Sequence, residues 1–150
     1  MNAPLLVMGS FAILFISAFM MAQASSDSPV GRWRTISDVT GKENGAVEIV
    51  ENNGVLVGHL IAGRNPATFD TELCTKCPGD RHNKPMKGLL IISGVHRNGD
   101  EWGGGEILDP DTGKVYRVKL KVVEAGKKLQ VRGYLGFSLL GRTQTWIRKE

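Results

Sequence analysis

The chain has 150 residues, 19 Lys and Arg against 15 Asp and Glu, and 41% hydrophobic residues, a balance that excludes disorder, collagen and a coiled coil. Its two Cys are too few for a disulfide-dense scaffold. The averages conceal an uneven distribution: residues 1–24 carry no charge and hold 18 of the 62 hydrophobic residues, which leaves 126 residues with 44 hydrophobic (35%), enough for one core and one domain.

The first element is the apolar stretch from Leu5 to Ala22, followed by Ala22-Gln23-Ala24 and the polar Ser25-Ser26-Asp27. Small residues at Ala22 and Ala24 fit a signal-peptidase site, so residues 1–24 are expected to be a signal peptide cut after Ala24, although no Lys or Arg precedes the apolar run. The competing reading is a retained anchor, because the run approaches the roughly 20 residues of a spanning helix. Either way the domain at 25–150 is expected to be exported, periplasmic or secreted, in an oxidising space and with no membrane span after cleavage.

Eight short apolar or alternating runs follow: 30–37, 46–51, 55–63, 89–97, 101–108, 114–124, 128–136 and 139–149. Between them stand Thr40-Gly41-Lys42, Asn52-Asn53-Gly54, Asn98-Gly99-Asp100, Asp109 to Gly113 and Ala125-Gly126-Lys127, residue types that accept positive φ or pre-set a turn. Alternation is clearest in 114–124, where Tyr116, Val118, Leu120 and Val122 share one face and Arg117, Lys119 and Lys121 the other. Leu129, Val131, Leu135 and Phe137 continue the pattern on the next run, and Gly103-Gly104-Gly105 predicts a bulge or sharp bend. Only the long connection at 65–88 has room for a helix. Eight sequential strands favour an eight-stranded antiparallel up-and-down β-barrel, because closure removes exposed edges; a two-sheet β-sandwich is the alternative.

Gly31-Arg32-Trp33 on the first run resembles the G-x-W signature of lipocalin and fatty-acid-binding barrels, and Arg148 near the end of the last run resembles the Arg that packs over that Trp. A wider resemblance rests on GRWRTI (31–36), CTKCPGDRHNKPMKG (74–88), GGGEILDPDTGKVYRVKL (103–120) and VRGYLGFSLLGRTQTWIR (131–148). These stretches are similar to a family of small exported bacterial proteins classed as a domain of unknown function, over about 31–148. The resemblance implies a lipocalin-like fold, with Gly31, Trp33 and Arg148 as structural residues, and brings no catalytic residue.

Several constellations are candidates for chemistry. Cys74 and Cys77 are expected to form a local disulfide in an oxidising compartment; with His82 they have the alternative of a three-ligand metal loop, short of the four ligands that a closed zinc site requires. A thioredoxin-type role lacks the α/β context that such cysteines use. Arg132 and Tyr134, two apart on one strand face, resemble the carboxylate clamp of fatty-acid-binding barrels, but the apolar Leu129, Val131 and Leu135 hold the opposite face and have the stronger claim to the interior. Arg142 competes with Arg132, sharing a face with Trp146 and Arg148. The Gly-rich run precedes no helix that could hold phosphate, Asp109 and Asp111 belong to a hairpin turn, and no Ser-His-Asp arrangement is legible.

The net charge of +4 is mild and its basic residues are scattered without interleaved aromatics, which argues against a nucleic-acid partner. The expectation is a non-enzymatic binding or carrier protein with no cofactor. Its ligand would be small and apolar, or an anionic amphipath, contacted by Trp33, Tyr116, Val118, Leu120, Arg132, Tyr134 and Arg142. The alternatives are a packed structural or interaction protein of the cell envelope that uses the 65–88 loop, and a metal-binding or redox loop at Cys74 and Cys77. Oligomeric state is left open.

Overall fold

The computed structural model describes residues 27–150; the expected signal peptide at 1–24 lies outside the described residues. Eight strands follow one another as β1 (Gly31–Ile36), β2 (Glu43–Asn52), β3 (Val55–Ala62), β4 (Leu90–Asn98), β5 (Glu101–Asp109), β6 (Lys114–Val123), β7 (Lys128–Tyr134) and β8 (Arg142–Lys149). Each pairs antiparallel with its sequence neighbours, and β8 returns to β1 with Arg32 opposite Lys149, Trp33 opposite Arg148 and Arg34 opposite Ile147. That last ladder closes the barrel, and a sandwich is thereby excluded.

Alternation decides which side chains enter. On β6, Val118 and Leu120 are fully buried while Arg117 is exposed on the outer wall; on β7, Leu129 and Val131 point inward. Trp33, Val47, Ile49, Leu56, Ile92 and Val95 complete the core. At about 25 cal/mol per Å² of apolar surface removed from water, interior faces of this kind supply the main drive for closure. The triple glycine does what its composition predicts: the β5–β6 register slips between Trp102 and Gly105, and a Cβ on Gly105 would collide with the Ser93 carbonyl oxygen.

The structure departs from the sequence expectation between β7 and β8. Alternation carried the seventh run through Gly136 and started the eighth at Leu139, yet β7 ends at Tyr134 and β8 begins at Arg142. Gly136 turns the chain with φ of 70°, and a short 3-10 turn over Ser138–Leu140 brings it back. Leu135 and Phe137, expected inside, are consequently 64% and 77% exposed.

The connection between β3 and β4 is long because it covers one end of the barrel. It contains α1 (Pro66–Phe69), whose first turn is capped by Asn65 Oδ1 accepting from the Ala67 N–H at 3.1 Å, and a 3-10 turn at Gly79–Arg81. Phe69, Cys74, Cys77 and Met86 face down onto the core and are buried. The far side of this cover is fastened to the β5–β6 turn: Lys76 Nζ donates to the Asp111 carbonyl at 2.9 Å, and Arg64 pairs with the Asp111 carboxylate at 2.8 Å.

Candidate functional site

The two ends of the barrel are built differently. At one end Trp33 is fully buried, and its Nε1–H donates to the Pro29 carbonyl at 2.7 Å. The Arg148 guanidinium lies 4.1 Å from the indole ring centre and donates to three backbone carbonyls, those of Gly126 at 2.5 Å, Val30 at 2.9 Å and Ser28 at 2.9 Å. Burial draws its pKa below the usual guanidinium value. Each of the three guanidinium nitrogens is bonded to a carbonyl of chain segments that meet here, which seals the barrel interior over the buried indole and leaves only an outer groove beside Arg148.

The opposite end gathers the β1–β2 turn, the β3–β4 cover, the β5–β6 turn and the β7–β8 connection around a cavity of about 390 Å³. Its wall is mainly apolar: Val47, Leu60, Ile91, Ile107, Val131 and Trp146 from the strands and Met86 from the cover. Polar groups stand at the rim, with Asn44, Arg64, Asn65, Glu72 and Asp111 on the side of the cover and Arg142 and Gln144 on β8. An apolar wall beneath a polar rim, in a volume within the roughly 300–1,000 Å³ common for ligand sites, is the usual form of a small-molecule pocket.

A chain of hydrogen bonds runs from the rim to the wall. Arg142 holds Asp38 of the β1–β2 turn through two bonds, Nε to Oδ2 and Nη2 to Oδ1, the second at 2.6 Å. Gln144 Nε2 reaches the same carboxylate at 3.4 Å, while its Oε1 accepts from the Trp146 Nε1–H at 3.0 Å. The Arg142 guanidinium lowers the Asp38 pKa, against a smaller opposing effect of burial, and Asp38 in turn raises that of Arg142. Arg142 is thus positioned above the cavity, yet its side chain is 62% exposed and its bonds to Asp38 are open to exchange with an incoming acid.

Of the residues singled out from sequence, Tyr116 and Arg142 line the cavity. Val118 and Leu120 are fully buried in the core, and Trp33 belongs to the sealed end. Arg132 and Tyr134 do not line the cavity: strand parity turns them outward, and Arg132 instead ties down the β7–β8 connection by donating to the carbonyls of Ser138 at 2.6 Å and Leu139 at 3.2 Å and to Thr143 Oγ1 at 2.9 Å. Cys74 and Cys77 are joined as a disulfide, with Cα atoms 5.4 Å apart, and His82 Nδ1 contacts the Cys77 carbonyl oxygen at 3.2 Å. The disulfide leaves neither sulfur as a thiolate for the metal loop that these three residues could otherwise form. Among the described residues no cluster of three or more His, Cys, Asp or Glu is placed to hold a metal ion.

Asp38, Gln144, Arg64 and Met86 were not singled out. Gln144 was accessible through parity, since it lies between Arg142 and Trp146 on their face of β8. Asp38, Arg64 and Met86 come from turns and the cover, where no strand period assigns a direction.

A closed eight-stranded antiparallel barrel with one sealed end and one pocketed end defines a lipocalin-like protein. The chain belongs to the bacterial family described as "Uncharacterized protein conserved in bacteria (DUF2147)", whose profile matches residues 31–148. Among solved structures it is similar to "Protein HP1028 from the human pathogen Helicobacter pylori belongs to the lipocalin family", with a TM-score of 0.68 and 22% identity over 81% of this chain and 82% of that one. At that identity the likeness shows the fold. No curated protein sequence gives a significant match.

Proposed function

We propose that this protein is an exported, non-enzymatic carrier that holds a small, largely apolar ligand in the barrel with any anionic end at Arg142. The observation that carries this reading is the cavity of about 390 Å³, apolar in its wall and polar at its rim. Export is supported by the leader-like residues 1–24 and by the disulfide, which suits an oxidising compartment. An anionic amphipath would compete with Asp38 for the two Arg142 donors while its chain lies against Val131, Ile107 and Trp146.

The alternative of an envelope contact through the 65–88 loop has less to support it: the buried side chains of that segment, Phe69, Cys74, Cys77 and Met86, cover the barrel, and two lysines on its exposed side are already bonded. Lys76 bonds the β5–β6 turn, and Lys87 pairs with Asp70 of the same connection at 2.8 Å.

Native mass spectrometry of the protein recovered after export, with organic extraction of whatever it retains, tests the carrier reading. A retained small molecule, or quenching of tryptophan fluorescence by decanoate that Arg142→Met weakens, is the expected result. Protein that emerges empty and takes up neither decanoate nor decanol overturns it.

A further inference from the structure

The connection from Leu135 to Gly141 contains no charged residue and projects its apolar side chains into solvent: Phe137 is 77%, Leu139 89% and Leu140 81% exposed. Val39, on the β1–β2 turn that Arg142 ties to β8, adds another side chain at 76% exposure. Three bonds from Arg132 to Ser138, Leu139 and Thr143 fix the base of this connection, so its apolar tip is presented on a braced support. Side chains this exposed form a convex knob, which a deformable medium such as an acyl layer buries without a matching groove.

Directly behind the knob the outer wall is basic. Arg117 stands opposite Tyr134 and Lys119 opposite Arg132 on the β6–β7 ladder. Arg117 has Glu106 as its cross-strand neighbour on β5, but neither Arg117 nor Lys119 makes an ion pair among the described residues. The two pairs are two residues apart along the strands, a rise of about 7 Å. A bilayer's headgroup layer is about 5 to 7 Å thick on each side. A knob seated in the acyl boundary would therefore hold Arg117 and Lys119 at the level of the lipid phosphates, where each cation near an anionic surface is favourable.

From this arrangement we infer that the β7–β8 connection, with Arg117 and Lys119 behind it, docks the barrel on an anionic lipid surface with the cavity mouth turned toward the bilayer. No membrane-spanning element is needed, and none of the helices among the described residues is long and apolar enough to cross one. The inference rests on the exposed connection and stands whether or not the cavity carries a ligand.

Vesicle flotation of the protein recovered after export, using phosphatidylcholine vesicles with and without phosphatidylglycerol, provides the test. The wild type should float with the anionic vesicles and be released by high salt. Phe137→Ser/Leu139→Ser/Leu140→Ser should lower the bound fraction tenfold or more, since each buried methylene contributes to membrane affinity. Arg117→Gln/Lys119→Gln should erase the preference for phosphatidylglycerol. Circular dichroism and cooperative unfolding verify that each variant keeps its fold. A wild type that stays in solution with both vesicle types, or a triple variant that floats equally well, overturns the inference. So does sedimentation that shows a wild-type dimer, a monomeric triple variant and no vesicle binding, because the knob would then be covered by a second copy of the chain.

Discussion

One strand supplies an arginine to each end of the barrel, and the two are used in opposite ways. Arg148 is stacked on Trp33 and bonded to three main-chain carbonyls, whereas Arg142 is mostly exposed and bonded to a single carboxylate on a turn. The same face of β8 thus carries one arginine bonded to main-chain carbonyls and another bonded to a side-chain carboxylate on a turn. On the proposed carrier function, stability and recognition would be separated along the barrel axis.

That separation is most severely tested at Trp33. Replacing it with Ala should cost about 3 to 5 kcal/mol, the range for truncating a buried aromatic, as read by urea denaturation. A near-neutral result would remove the sealed end as the source of stability. Arg148→Met comes next: it takes the cation from the indole and leaves carbonyls of Ser28, Val30 and Gly126 short of a donor, for an expected loss of about 2 to 3 kcal/mol. Arg142→Met, measured alongside, should unfold close to the wild type and lose affinity for decanoate more than for decanol. If the two arginine variants were equally destabilised, the two ends would not differ in kind.

The cover over the mouth supplies a third comparison. Replacing Cys74 and Cys77 together by Ser should cost about 2 kcal/mol on the loop-entropy account of so short a ring. The same change should increase proteolysis within residues 65–88 and leave the Trp33 end protected. Uniform loss of protection across the barrel would show that the disulfide holds more than its own connection.

The smallest effect is expected from pH. Asp38 has a lowered pKa in the fold because Arg142 bonds its charged form. Its contribution to stability is therefore fully present above the ordinary carboxylate pKa and is lost as pH falls through the lowered folded value. The difference in stability between the wild type and Asp38→Asn should be constant near neutrality and shrink on acidification below about pH 4. A difference that grows on acidification would contradict the assigned pairing.

Much of the barrel was legible because strand alternation has a fixed period. Tyr116, Val118 and Leu120 announce their face of β6, while Arg132 and Tyr134, candidates for ligand contact by their clamp-like spacing, follow the opposite parity to Val131 and lie on the outer face. The rule failed where the chain stopped being a strand: Leu135 and Phe137 keep the right spacing to be interior, but the left-handed Gly136 between them takes both out of the ladder. Turns and the cover have no such period. Asp38 reaches Arg142 across 104 positions of sequence, and Arg64 reaches Asp111 across 47, so neither pairing could be read from local pattern.

The closing ladder sets β1 and β8 side by side, with Arg32 across from Lys149, so the described chain enters and leaves through the same end. The sealed base is therefore also the handle of the molecule. A tag, a fusion partner or a surface linkage joined after Lys149 would grip the barrel from below and leave its mouth unobstructed. A new pair of termini cut in the exposed Asn98-Gly99-Asp100 turn would stay at that base, whereas one cut in the β5–β6 turn would emerge beside the mouth.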